Sequence, residues 1–513
     1  MATDLAEVQK KLWDAADELR ANSGLMASEY SQPVLGLIFL RFAEERFAAA
    51  KAALGTGSVR NPVSPDDYKA KGVLYLPDEA RYDHLLNQPE SADLGRVANN
   101  AMSLIEDHNP GLKGVLPKVY GKLPNEVLIE LLRILNSLAD DIEGDGFGLV
   151  YEYFLGQFAM AEGKGGGEFF TPPSIVKLIV EILEPHSGKI FDPACGSGGM
   201  FVQSGEFVAR HSSNPGDELS VYGQEKSLST VPLAKMNLAV HGLAGDIRAG
   251  NTYYEDLHDS VGGFDFVMAN PPFNVDKVDK AKLEGDSRFP FGAPNVDNAN
   301  YLWIQAFYAA LNDSGRAGFV MANSASDAGH SELAIRQKLI EDQVVDVIVA
   351  VGTNMFFTVT LPVTLWFLDK GKRKGPRSDE VLFVDAREIY NTISNAHREW
   401  TPQQIEFLAN IVRLWRGEEP EFNANSSEML GARFPDGTYV NVAGLCGVAT
   451  VEEIEKQGWS LNPGRYVGFE RREVDDVAFA ASIGELAERF DALTVKAEDL
   501  ATSTRLLLLE ALS

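Results

Sequence analysis

Cysteine is nearly missing. The 513 residues hold two, Cys195 and Cys446, which excludes a disulfide framework and fits a reducing, cytoplasmic setting. No uninterrupted apolar run is long enough to span a bilayer, so no membrane association is expected. The opening MATDLAEVQKKLWDAADELR is an amphipathic helix pattern without the apolar core of a signal sequence. Basic charge is also short: 46 Lys and Arg stand against 74 Asp and Glu, a formal net charge of −28. A chain that grips nucleic acid unaided usually shows a basic face. Either nucleic acid is not the ligand, or a partner supplies most of the phosphate contacts; net charge alone does not choose between them. The eight histidines are scattered, and neither they nor the cysteines show metal-ligand spacing, so no metal is expected. Repeats and low-complexity tracts are missing as well. The remaining composition, 45% hydrophobic and 23% charged, is that of a globular chain of two or three domains.

Residues 1–150 read mostly as helices, with apolar residues at three- and four-residue spacing in stretches such as SQPVLGLIFLRFAEERFAAAKAAL. After the flexible GKGGG (163–167), strand and helix patterns alternate to about 400, within a domain expected over 151–400. SIVKLIVEILEP is read as helix, GKIFDPACGSGG as strand and turn, and MFVQSGEFVARHS as helix. ELSVYGQEKS is read as strand and TVPLAKMNLAVHG as helix, then FDFVMANPPF as strand and NYLWIQAFYAALNDSG as helix. RAGFVMANS, VVDVIVAVG and PVTLWFLDK complete the strands. The alternation implies an α/β fold whose mostly parallel sheet is covered on both faces. The basic tract KGKRKGPR (370–377) suggests a solvated loop, with a phosphate contact as the rarer alternative. Residues 401–473 read as a connecting region. From 474 to 513 one helix is expected, with Phe479, Ile483, Leu486, Phe490, Leu493, Ala497, Leu500 and Leu507 at heptad spacing and Thr504 as its polar break. Such a seam suits either subunit association or packing on its own domain.

Three motifs fall at the ends of successive strands, where open α/β sheets bind ligands. In FDPACGSGGMF a strand runs into Gly196, Gly198 and Gly199 before a helix, so backbone N–H groups can approach a ligand closely. The third small residue of a dinucleotide turn is missing, and no G-K-[ST] follows, so this is not a phosphate-binding loop. Asp192 either orients the turn or balances a cationic ligand. Glu225, ending YGQE, can accept both hydroxyls of a ribose, although a solvated strand-end acid is the plainer reading. The third motif is ANPPFN, directly after FDFVM. Two prolines cannot continue a strand, because each lacks the N–H a ladder needs. A planar base with an exocyclic amine would fit this turn. The Asn270 oxygen accepts one N–H, the Pro271 carbonyl the other, Pro272 stiffens the backbone, and Phe273 offers a stacking face. A base inside a duplex cannot reach such a pocket and must be rotated out.

DPACGSGG with NPPF resembles the amino-methyltransferases that use S-adenosyl-L-methionine to methylate adenine N6 in DNA. GEFFTPPSIVKLIVEIL (167–183), ahead of the glycine motif, resembles the segment covering the methionine end of the cofactor, in the γ order of motifs. The likeness extends to the modification (M) subunits of type I restriction–modification systems. LWDAADELRANSGLMASEYSQPVLGLIFLRF is similar to their N-terminal helical domain. GLVYEYFLGQFA, NSASDAGHSELAIRQKLI, GTNMFFTVTLPVTLWFLDK and LNPGRYVG are also similar to that family's sequences. The resemblance implies a Rossmann-like methyltransferase core between an N-terminal helical domain and a C-terminal helical tail. It implies cofactor contacts from Glu168, Phe169, Phe170, Thr171, Pro172 and Pro173, and from Asp192, Ala194, Gly196, Ser197, Gly198 and Gly199. Glu225 matches the ribose acid, and Asn251 stands where the family often has Asp. Asn270, Pro271, Pro272 and Phe273 match the catalytic tetrad. The partners implied are double-stranded DNA, a specificity (S) subunit, a second copy of the chain sharing that specificity subunit, and a restriction (R) subunit. Amino-methyl transfer to protein or another substrate, or a non-catalytic cofactor-binding scaffold, are the alternatives.

Overall fold

The computed structural model describes residues 5–23, 27–55, 57–58, 61–137, 146–161, 170–211, 215–294, 298–356, 361–394, 397–469 and 494. The chain divides into two units, Met1–Val467 and Gly468–Ser513. The heptad positions expected in 474–513 lie outside the described residues, as do Glu168, Phe169 and GKGGG.

The first unit begins with helices α1 (Leu5–Ser23), α2 (Ala27–Leu54), α3 (Leu94–His108), α4 (Asn125–Ser137) and α5 (Gly146–Ala161). Their spacing explains their packing. In α4, Leu128, Leu131, Leu132 and Leu135 are the buried stripe. In α3, Asp93 caps the start by accepting from Arg96 N at 3.0 Å. Tyr30, Phe39, Tyr82, Tyr120, Tyr151 and Phe154 are wholly buried among these helices.

Nine strands form the sheet: β1 (Gly188–Asp192), β2 (Leu219–Glu225), β3 (Gly245–Ala249), β4 (Phe264–Ala269), β5 (Leu311–Ala322), β6 (Val345–Val351), β7 (Val363–Asp369), β8 (Glu380–Asp385) and β9 (Cys446–Thr450). Their spatial order is β9-β8-β6-β7-β5-β4-β1-β2-β3. β7 runs antiparallel between β5 and β6, and β9 is antiparallel to β8. Every other pair is parallel. Helices α6 (Pro173–Leu183), α7 (Gly199–His211), α8 (Thr230–Val240) and, from the far end of the unit, α11 (Pro402–Arg416) share a core with Ile190, Met268 and Val320. Helices α9 (Asn300–Ala310) and α10 (His330–Glu341) pack with Phe191, Val267 and Phe319 on the other face. The pairs Ile190/Phe191 and Val267/Met268 thus split between the two cores, as the two-residue period of a strand requires. β1 lies between β2 and β4, so the strand order reverses there and opens a crevice at the carboxyl ends.

Several elements differ from the sequence reading. The helix expected over 300–315 stops at Ala310, and LNDSG belongs to β5. Pairing with β4 shifts register there, from Phe264↔Leu311 to Phe266↔Arg316. Gly315 passes so close that a Cβ would lie 2.8 Å from the Phe264 carbonyl oxygen. Strand β3 has one buried residue, Ile247, and so carries no alternation to detect. The region 401–473 contributes α11 and the edge strand β9 to the first unit rather than a simple link. The basic tract turns largely inward. Asp346, fully buried on β6, receives Arg416 at 2.9 Å and Arg377 at 3.0 Å, with the Lys372 ammonium at 3.9 Å. Burial pushes the Asp346 carboxyl up, but the three cations more than offset it and hold it below the ordinary range. Arg373 pairs with Asp342.

The N-terminal helices are joined to the sheet unit through α8. Met236 and Val240 belong to the same hydrophobic core as the buried tyrosines above. Arg46 of α2 donates to the Val240 carbonyl at 3.0 Å. Among the described residues, no helix is long and apolar enough to cross a membrane.

Candidate active site

β1 ends in Asp192, and the chain turns through Gly196 (φ 51°) and Gly198 (φ 83°) into α7. Both angles are in the left-handed region that glycine adopts without a Cβ clash. A Cβ on Gly196 or Gly199 would meet nothing within 4 Å, so the turn borders open space. Asp192 accepts from Ala194 N at 2.9 Å and so orients the turn. Its burial raises the carboxyl well above the aspartate range; the Ala194 N–H opposes this, and the nearby Glu225 carboxylate adds to it. Glu225 Oε2 accepts from Gly196 N at 3.0 Å, and Oε1 from Ser227 N at 2.7 Å. The expected ribose acid therefore also braces the glycine turn. Cys195 is buried beside these acids, and burial first, then their charges, keeps it a thiol.

Two cavities flank the turn. One of about 110 Å³ is lined by Phe170 and Thr171 ahead of α6, by Pro173 at its start, by Asp192 and the glycine turn, and by Glu152, Gln203 and Asn237 from α5, α7 and α8. The other, about 600 Å³, is lined by Glu225, Asn251, Thr252 and Tyr253, and by Pro272 and Phe273 with Trp303 of α9. Ala194, Gly196 and Asn270 line both. Asn270 Nδ2 donates to Thr171 Oγ1 at 2.9 Å. That bond orients the carboxamide. Pro271 is buried, Pro272 and Phe273 half-buried. The turn beyond them is tied down: Asn274 N donates to Asn300 Oδ1 at 2.9 Å, and Asn300 Nδ2 returns a bond to Asn274 Oδ1 at 2.9 Å. Asn251 Oδ1 accepts from Tyr253 N at 3.1 Å, closing a turn beneath the larger cavity.

Of the expected residues, Pro172, Gly198 and Pro271 line neither cavity. Pro172 precedes α6 as its extended N-cap, with Pro173 at the first helical position. The sequence reading missed Glu152, Gln203, Asn237, Tyr253 and Trp303. Trp303 Nε1 donates to the Tyr253 hydroxyl at 2.7 Å, and burial keeps that phenol protonated. The fold also brings Glu152, Glu206 and His241 together, although no metal-ligand spacing marks them in the sequence. Lys177 lies 3.9 Å from Glu206, and His241 Nδ1 bonds the Asn237 carbonyl, so the group is already engaged within the protein.

A parallel sheet that reverses at a glycine turn, with an acid on the next strand and an Asn-Pro-Pro-Phe strand end across the crevice, defines the amino-methyltransferase class. The comparisons agree. Residues 142–475 match the N-6 DNA Methylase family and residues 8–135 the HsdM N-terminal domain, so the chain belongs to the N-6 DNA methylases. More particularly, it is a type I restriction enzyme methylase subunit. It is 37% identical over 522 residues to the MjaIX methylase subunit of Methanocaldococcus jannaschii, covering 96% of this chain and 89% of that one. It is 36% identical over 408 residues to the HindI methylase subunit of Haemophilus influenzae, covering 77% and 87%. The fold is similar to that of the type I methyltransferase subunit from Streptococcus thermophilus, with a TM-score of 0.70 at 22% identity, covering 91% of this chain and 100% of that one. The activity is N6 methylation of adenine in DNA; the protein-substrate and scaffold alternatives are not favoured.

Proposed function

We propose that the chain methylates an adenine rotated out of double-stranded DNA, with S-adenosyl-L-methionine as donor held across the two cavities. When bound, that cofactor supplies a methyl group already electrophilic on a sulfonium, so the protein's task is orientation and electrostatics. The open space at Gly196 and Gly199 fits such a ligand, and its positive charge beside Asp192 would draw the buried carboxyl back towards ionisation. Phe170, Thr171 and Pro173 would hold its methionine end, and Glu225 and Asn251 its adenosine. Glu168 and Phe169 belong to the same proposed segment.

Asn270 Oδ1 and the Pro271 carbonyl each accept one N–H of the adenine amine, which localises the N6 lone pair. Phe273 stacks on the base, and Tyr253 and Trp303 wall the far side. No covalent intermediate with the protein is needed, because the amine is itself the nucleophile. Sequence recognition falls to a separate specificity subunit, in an assembly with a second copy of this chain, to which a restriction subunit can add. The net charge of −28 supports a partner that carries much of the phosphate contact.

The observation that carries this reading is Asn270, which borders both cavities and is anchored by Thr171. The test is tritium transfer from labelled cofactor to DNA by the full chain with its specificity subunit. Asn270→Ala should cut label in N6-methyladenine by about 100- to 1,000-fold, and Phe273→Ala should cut it at sub-saturating DNA, while cofactor binding persists. Label in protein instead of DNA, or transfer undiminished by either substitution, overturns the assignment.

A further inference from the structure

Two buried amides on the wall of the smaller cavity each hold one atom with no hydrogen-bond partner among the described residues. Gln203, on α7, is 4% exposed, and its Nε2 has no hydrogen-bond partner. Asn237, on α8, is 1% exposed. Its Nδ2 donates to the Ser197 carbonyl at 2.9 Å, which fixes the amide orientation, and its Oδ1 has no partner. Both residues line the cavity with Asp192. Buried polar atoms are nearly always paired, so an orphan donor and an orphan acceptor beside one cavity point to something that pairs them.

We propose that Gln203 and Asn237 read the amino-acid end of the methyl donor and set the preference for it over truncated adenosyl thioethers. The inference rests on the function proposed above. The ligand end must offer an acceptor to Gln203 and a donor to Asn237. An α-amino acid does both: its carboxylate accepts from Gln203 Nε2, and its ammonium donates to Asn237 Oδ1. The buried Asp192 carboxyl lines the same cavity. An ordered water could also satisfy both amides, and the test separates the two cases.

The experiment is calorimetric titration of the full chain with two probes. S-adenosylhomocysteine carries the amino-acid end, and 5′-methylthioadenosine lacks it. Gln203→Met keeps the length and removes the donor; Gln203→Glu sets a carboxylate against the ligand's own. Both variants should bind S-adenosylhomocysteine on the order of tenfold to a hundredfold more weakly, the loss expected for a buried hydrogen bond to a charged group. Binding of 5′-methylthioadenosine should be unchanged. In the ligand-free chain, Gln203→Met should not lower the melting temperature, because a buried N–H group without a partner gives way to an apolar side chain of similar shape. Equal losses for both probes, or none for either, overturn the role of Gln203 and leave the cofactor site standing. If the wild-type chain binds neither probe, the cofactor assignment itself fails.

Discussion

The bond from Asn270 to Thr171 allows a quantitative test of the catalytic turn. Asn270→Ala removes an acceptor from the amine in the transition state, which corresponds to about 100- to 1,000-fold in kcat for a preorganised site. Thr171→Val replaces the hydroxyl that takes the Nδ2 hydrogen at 2.9 Å by a methyl of similar size. It removes that bond from a partly buried donor and loosens the hold on the carboxamide, at about 1–2 kcal/mol, or roughly 5- to 30-fold. Thr171 also lines the cofactor cavity, so kcat must be read at saturating donor in single-turnover methylation, with donor affinity measured separately. If Thr171 acts on chemistry through Asn270, the double variant should be no slower than Asn270→Ala alone. The coupling energy then equals the whole Thr171→Val effect on kcat. Strictly additive losses would refute the anchoring role. Asn270→Ala activity within tenfold of wild type would refute the amine clasp.

Three further outcomes follow from the geometry. Phe273→Ala should weaken capture of the extruded base by about 1–3 kcal/mol, seen in the KM for DNA, with substantial recovery in Phe273→Trp and no change in cofactor affinity. Burial raises the Asp192 pKa, so stability from this group is full below its ordinary 3.8 and declines as pH rises towards the folded value. The melting temperature of Asp192→Asn should therefore gain on wild type as pH rises above 3.8 towards the folded value, while its donor affinity falls; a constant offset would contradict the raised pKa. Asp346→Asn should destabilise by about 3–5 kcal/mol in denaturant unfolding, because Arg416 and Lys372 would stay buried without their carboxylate. A loss below about 1 kcal/mol would place those cations in contact with solvent.

The parts of the site that were legible in the sequence are those carried by backbone chemistry. Consecutive prolines after FDFVM and closely spaced glycines after KIFD are local signals, and β4 and β1 end where these residues stand. The resemblance of the motifs extended that reading to the family. What stayed hidden was assembled from distance. Glu152, Gln203 and Asn237 are helix-interior residues with no shared motif, and only the packing of α5, α7 and α8 turns them to one cavity. Edge strands were missed for a different reason: β3 and β9 owe their conformation to a single neighbouring strand. LNDSG carries turn chemistry, and the fold uses it for a bulge inside β5. The basic tract misled because a run of lysine and arginine reports charge and not the buried Asp346 that it neutralises.

Helix α8 presents Met236 and Val240 to the N-terminal core, and between them Asn237 lines the smaller cavity. The first 161 residues are therefore not an interchangeable cassette. A chimera that grafts them from one relative onto another must carry residues 230–240 from the same parent. Otherwise it inherits mismatched volumes on one side of that helix and a displaced amide on the other.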